Sequence, residues 1–132
     1  MNLIYSGVAI LYGNSVMLCK RQLNCHFGGY WSVPCGAVEA GESSFGAAQR
    51  ELKEETQIEL SERSLRYATS FKAHDGGRFN LYTYESPDLL FPVLDGEHTE
   101  WGYFSLDAIE DLHISSALLQ ALVKIREKSL DC

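Results

Sequence analysis

No apolar run in this chain approaches the ~20 residues that a membrane-spanning helix needs, and Met1 to Gly7 offers no basic segment ahead of a long apolar stretch. A membrane span and a secretory leader are therefore not expected, and a cytoplasmic location is. Basic residues are scarce as well: 11 Lys and Arg stand against 18 Asp and Glu, for a formal net charge of -7. A broad nucleic-acid surface requires clustered Lys and Arg to neutralise phosphates, so a nucleic-acid partner is disfavoured. An anionic substrate would need metal ions to approach such a chain. The four cysteines, Cys19, Cys25, Cys35 and Cys132, show no C-x-x-C spacing and look like the reduced thiols of a cytosolic protein. Cys25 with His26 would supply half of a zinc site, but no second pair stands at structural-zinc spacing. Repeats, linkers and low-complexity segments are missing too.

What is present suits a packed core. Apolar residues make up 45% of 132 residues, which sets one domain spanning 1–132. Leu3 to Tyr12 and Val16 to Lys20 are β-rich runs around Gly13-Asn14-Ser15, a tight turn. Tyr30 to Val33 is a short strand stopped by Pro34, and Ala37-Val38 is a brief extended piece in the loop to Gly41. Ser43 or Ser44 can cap a helix over Ser44 to Thr56, with Phe45, Ala48 and Leu52 as its core face. Tyr67 to Ala73 and Phe79 to Glu85 flank His74-Asp75-Gly76-Gly77 and predict a hairpin. After a loop bounded by Pro87 and Pro92, a strand over Trp101 to Phe104 is expected. A short helix over Leu106 to Leu112 and an amphipathic helix over Ser115 to Ser129 follow, the latter burying Leu118, Leu119, Leu122, Val123 and Ile125. The order gives an α+β, or mixed α/β, fold with a mixed sheet around one central helix.

The chemistry concentrates between Gly36 and Ile58, where Gly36, Glu42, Arg50, Glu51, Glu54 and Glu55 stand at fixed intervals. On a helix, Glu51 meets Glu54 at i+3 and Glu55 at i+4, so one face gathers all three carboxylates. Like charges so arranged repel by a few tenths of a kcal/mol each, whereas hard divalent ions such as Mg2+ or Mn2+ favour oxygen clusters. A solvated acidic face laced by Arg50 and Lys53 is the competing explanation, but two positive charges do not balance the stripe with Glu59 nearby.

At these residues the chain resembles the Nudix hydrolases. Their signature is a glycine, five residues, Glu, seven residues, Arg-Glu, an apolar residue, any residue, Glu-Glu, any residue, a glycine and an apolar residue. Gly36, Glu42, Arg50, Glu51, Leu52, Glu54, Glu55 and Ile58 meet it, and Gln57 stands where glycine is usual. The approach Trp31-Ser32-Val33-Pro34-Cys35-Gly36 is similar to the W-x-x-P-G-G of that family, with Cys35 for the first glycine.

The resemblance implies an αβα sandwich and hydrolysis of the phosphoanhydride bond of a small nucleotide by water attack at phosphorus. It also implies Mg2+ or Mn2+ held by Glu51, Glu54 and Glu55 with the Gly36 carbonyl, and Arg50 orienting a glutamate. Lys20 and Arg21 could contact phosphates or simply end a solvated strand. For the proton of the attacking water, Glu51 is one candidate. The other lies in Glu97-His98-Thr99-Glu100-Trp101, which resembles an E-H-x-E segment of a branch acting on nucleotide sugars and nucleoside triphosphates. There Glu97 is preferred to Glu100 as the extra catalytic and metal-binding acid, with His98 sharing the task. Tyr82, Tyr84 and Phe79 are expected to be core, and the markers of the ADP-ribose, diadenosine-polyphosphate and NADH branches are missing. Removal of pyrophosphate from RNA ends and a non-catalytic nucleotide sensor are the alternative functions, and a homodimer is left open.

Overall fold

The computed structural model describes residues 3–24 and 27–130, so Cys25, His26 and Cys132 lie outside the described residues. A 7-stranded sheet forms the middle of the molecule. Its strands are β1 (Ile4–Tyr12), β2 (Ser15–Arg21), β3 (Trp31–Ser32), β4 (Cys35–Ala37), β5 (Arg66–Lys72), β6 (Arg78–Glu85) and β7 (His98–Ser105). The main order is β3-β2-β1-β6-β5, with β4 added to β1 and β7 to β2. The sheet is mixed, because β1 runs parallel to β6 from Ile4↔Arg78 to Leu11↔Glu85 while its pairings with β2 and β4 are antiparallel. Among the described residues two α-helices, α1 (Ser44–Thr56) and α2 (Ser116–Leu130), pack on this sheet.

Alternation along β1 decides how the layers assemble. Val8 and Ile10 point to one face, where Met17, Cys19, Leu65 and Tyr82 meet Ala48 and Leu52 of α1. Ala9 and Leu11 point to the other, where Val16, Leu18 and Leu81 meet Leu118, Ala121, Leu122 and Ile125 of α2. A strand buried on both sides reads as a continuous apolar run, which is why Leu3 to Tyr12 carries so few polar residues. Full burial of Leu52 or Leu122 contributes about 1.5–3 kcal/mol each. The α+β sandwich expected from the sequence is thus the fold observed.

Several local expectations are corrected. Phe45 is 36% exposed and leans on Tyr82 with ring centroids 4.5 Å apart. Ala47 and Ala48 hold the buried place instead, and their small side chains let α1 lie close on the sheet. The strand predicted from Trp101 starts at His98, so Glu100 belongs to β7 and pairs in register with Lys20. Leu106 to Leu112 forms only a 3-10 turn at Ile109–Asp111. Asn14 O takes the Leu106 N–H, and Asn14 Nδ2 donates to Asp107, holding the segment against the β1–β2 turn rather than in a helix. Phe79 and Tyr82 differ in parity on β6 and face opposite sides, Tyr82 in the α1 core and Phe79 stacked on Phe71.

Candidate active site

Capping defines the helix that carries the acids. Ser43 Oγ accepts the Gly46 N–H at 2.9 Å, and the helix ends where Gln57 turns left-handed (φ 62) and its N–H returns to Lys53 O at 2.8 Å. Between these ends Glu51, Glu54 and Glu55 share one face, but their environments differ sharply. Glu54 is exposed (56% of its side chain), Glu51 is largely covered, and Glu55 is buried at 2%.

Arg50 organises the outer part. Its Nε and Nη2 form a fork with Glu42 at 2.7 and 3.1 Å, and Nη2 also donates to Ala37 O at 3.0 Å. Nη1 reaches Glu51 Oε1 at 2.8 Å and Glu54 Oε2 at 3.2 Å. Hydrogen bonding from Arg50 holds the Glu42 carboxyl below its ordinary range, and Glu42 raises the Arg50 guanidinium in return. One arginine therefore ties the loop after β4 to the helix and fixes the direction of Glu51.

The inner part has no such balance. Neither Glu55 oxygen has a hydrogen-bond partner among the described residues, although the group is sealed from water. Burial, then the neighbouring Glu51 carboxylate, drives its carboxyl well above the usual range. Facing it is His98, whose Nε2 lies 3.5 Å from Glu55 Oε1. His98 Nδ1 lies 2.8 Å from Asp95 Oδ1, so the segment after Pro92 brings Asp95 and His98 to the site. Asp95 went unrecognised in the sequence, where an acid between Leu94 and Gly96 in a loop carries no signal of its own.

The sequence-predicted residues divide around this centre. Gly36 faces Glu51 so closely that an added β-carbon would overlap the carboxylate. Cys35, beside it on β4, has its thiol pushed up to about 12 by burial and then by Glu55, and so stays neutral. Lys20 pairs with Glu100 at 3.4 Å, both partly or wholly solvent-facing. Glu97 is exposed; its N–H donates to Asp95 Oδ1 at 3.2 Å and its carbonyl accepts the Gln22 N–H at 2.8 Å. Arg21 lines a cleft of about 760 Å³ together with Cys35 and Gly36. Tyr5, Phe27, Tyr30, Phe71, Phe79 and His113 supply aromatic walls to that cleft. Sequence reasoning missed this wall, since its rings come from strands, loops and the approach to α2 that meet only in three dimensions.

Does this donor set suit a divalent cation? Among the described residues no three acidic, histidine or cysteine side chains already converge as a cage, because Arg50 draws Glu51 and Glu54 outward while Glu55 turns inward. The chemistry nevertheless fits. An orphaned buried carboxylate beside a second carboxylate, at a glycine that leaves room for it, is an oxygen-rich place short of positive charge.

Comparison with known proteins agrees with this construction. The NUDIX domain family model matches residues 3–122. An 8-oxo-dGTP diphosphatase of Proteus vulgaris is 37% identical over 62 residues, covering 47% of this chain and 55% of that protein. The chain thus spans about half the length of the curated relatives it matches. Among solved structures, the NUDIX domain of Shewanella oneidensis NrtR complexed with ADP ribose superposes with a TM-score of 0.81 at 17% identity, over 97% of this chain and 88% of that one. A bifunctional NMN adenylyltransferase/ADP ribose pyrophosphatase of Francisella tularensis, complexed with AMP and a manganese ion, gives 0.79 at 17% identity, over 98% and 42%. At such identities the structural likeness speaks for the fold.

Proposed function

The chain belongs to the NUDIX domain family, and from that membership we propose that it is a cation-dependent hydrolase of a small nucleotide. The bond cleaved is a phosphoanhydride of a nucleoside triphosphate or nucleotide sugar, by water attack at phosphorus. One observation carries the reading: Glu55, buried at 2% with both oxygens unpartnered among the described residues, lies close to Glu51 and to Cys35, a residue of the cleft lining. Mg2+ is the proposed ion and Mn2+ its substitute, with Glu51, Glu54, Glu55, the Gly36 carbonyl and Glu97 as the residues that would hold it. Bound there, the ion supplies neutralisation of the phosphate charge and activation of the attacking water.

The remaining work falls to the chain itself. Arg50, clamped by Glu42 and Ala37 O, keeps the Glu51 carboxylate beside Gly36. Glu51 or Glu97 accepts the proton of the attacking water in this scheme. Arg21 lies in the cleft and suits a phosphate, whereas Lys20 is neutralised by Glu100 and must leave that pair to help. The aromatic walls suit a nucleobase, which packs well against aromatic rings. Relatives named as 8-oxo-dGTP diphosphatases support a nucleoside triphosphate as the first choice. The proposed setting for this work is the cytoplasm.

The test is product analysis with a panel of dGTP, 8-oxo-dGTP, the other nucleoside triphosphates and GDP-mannose, each with Mg2+, with Mn2+ and with excess EDTA. Pyrophosphate or monophosphate release that depends on the metal is expected. Undiminished turnover in EDTA would remove the cation from the scheme, and tight nucleotide binding with no turnover on any substrate would favour a sensor.

A further inference from the structure

Asp95, His98 and Glu55 form a row of which the scheme above uses only Glu55. The His98 side chain is 0% exposed at the start of β7. Its Nδ1 meets Asp95 Oδ1 at 2.8 Å, and that same oxygen accepts the Glu97 N–H at 3.2 Å. Asp95 is fastened to the end of α1, where its N–H donates to Glu55 O at 3.3 Å. The ring is therefore oriented by a loop that is itself tied to the acid-bearing helix.

Orientation fixes the tautomer. A carboxylate at Nδ1 takes that N–H, which leaves the Nε2 lone pair pointing at Glu55. Nε2 and both Glu55 oxygens have no hydrogen-bond partner among the described residues. A shared proton would draw nitrogen and oxygen to about 2.7–3.2 Å. The observed separation of 3.5 Å is wider and suits two donors facing one larger ion. A carboxylate that orients a histidine whose far nitrogen meets a metal is, moreover, the usual support of a histidine ligand.

We propose that His98 Nε2, set by Asp95, is a nitrogen ligand of the divalent cation that Glu55 binds, and that it shifts the preference of the site from Mg2+ toward Mn2+. Mn2+ stands lowest of the first-row ions in affinity for nitrogen and shares the liking of Mg2+ for oxygen, but it takes an imidazole more readily than Mg2+, which dehydrates reluctantly and keeps its waters. The inference rests on the cation-site reading given above, but the two fail differently.

Pulsed electron paramagnetic resonance of the full chain loaded with Mn2+ alone reads the ligand directly. Nitrogen-14 coupling of an imidazole is expected in the wild type and should vanish in His98→Gln. Calorimetric titration should show Mn2+ affinity falling about tenfold or more in His98→Gln, and by a similar factor in Asp95→Asn. Mg2+ affinity should change by less than about threefold. Circular dichroism checks that both variants are folded, and the wild-type spectrum needs no variant at all. Bound Mn2+ without nitrogen coupling in the wild type, or coupling that survives in His98→Gln, overturns the assignment of His98 and leaves the oxygen site standing. No binding of either Mn2+ or Mg2+ overturns both.

Discussion

Gly36 and Glu51 compete for one volume: a β-carbon on Gly36 would overlap the Glu51 carboxylate, so this acid reaches its position only because residue 36 has no side chain. The obstructed atoms are the far end of a flexible side chain, so Glu51 can swing away at little cost to the fold. Gly36→Ala should therefore leave the melting temperature nearly unchanged. Activity should fall by about ten- to a hundredfold, because a displaced ligand and a broken Arg50 contact cost positioning rather than stability. Thermal melts beside kcat measurements separate the two. A large fall in melting temperature with kcat intact would show that Glu51 is not the group displaced.

Glu54→Gln and Glu55→Gln should each cut kcat by about two orders of magnitude or more, yet their effects on stability should differ. Glu54 is exposed and held only by one arm of Arg50, so its melting temperature in EDTA should stay near wild type. Glu55 is buried, and its folded carboxyl is raised first by burial and then by Glu51. The unfolded carboxyl ionises near about pH 4.3, so the stabilising contribution is fully present below that pH and is lost as pH climbs toward the raised folded value. In EDTA the wild type should thus weaken between about pH 5 and pH 9, and Glu55→Gln should flatten that slope and melt higher at the alkaline end. Parallel slopes in wild type and Glu55→Gln would show that Glu55 is not the destabilising group.

Gln57 sits in the left-handed region at φ 62, fixed by its N–H to Lys53 O, and its side chain is exposed. A glycine relieves the clash of the β-carbon with the following carbonyl in that conformation, a gain of about 1 kcal/mol. In a chain of this size Gln57→Gly should raise the melting temperature by about 3 to 6 °C. A lower melting temperature would mean that the Gln57 side chain has a contact in solution worth more than the strain.

The departure from glycine at Gln57, a serine cap at Ser43 or Ser44 and the bounds of α1 were legible because they are local, each decided by residues within a turn or two of one another, and the structure takes Ser43 as the cap. The αβα order was legible for the same reason, since β1 announces burial on both faces by its own composition. What stayed hidden depends on distance in the chain. Glu55 was read with Glu51 and Glu54 as one cation-binding face, and only the arrival of Asp95 and His98 from a loop some forty positions onward sets it apart as a buried carboxylate with no partner among the described residues. The start of β7 at His98 was missed because Gly96 and the two acids Glu97 and Glu100 look like loop, whereas pairing with Lys20 and Arg21 on β2 draws the backbone into the sheet. The aromatic cleft was missed because Phe27, Phe79 and His113 share no periodicity.

The remaining question is which acid of the β7 approach works on the proton. Glu100 lies in β7 across from Lys20, with the two charges 3.4 Å apart at the surface, so its charge is already engaged. Glu97 precedes the strand. Its main chain is held by Asp95 and by Gln22, the neighbour of the cleft residue Arg21, while its side chain is exposed. Glu97→Gln should therefore lower kcat and kcat/KM together by about ten- to a hundredfold with KM little changed, the pattern of an interaction made only in the transition state. Glu100→Gln frees Lys20 and should alter kcat by less than about fivefold, because an exposed pair contributes about 1 kcal/mol at most. Steady-state kinetics of the two variants over the same pH range decide the matter. A crippled Glu100→Gln beside a near-normal Glu97→Gln would reverse the assignment and leave Glu51 as the acid to test next.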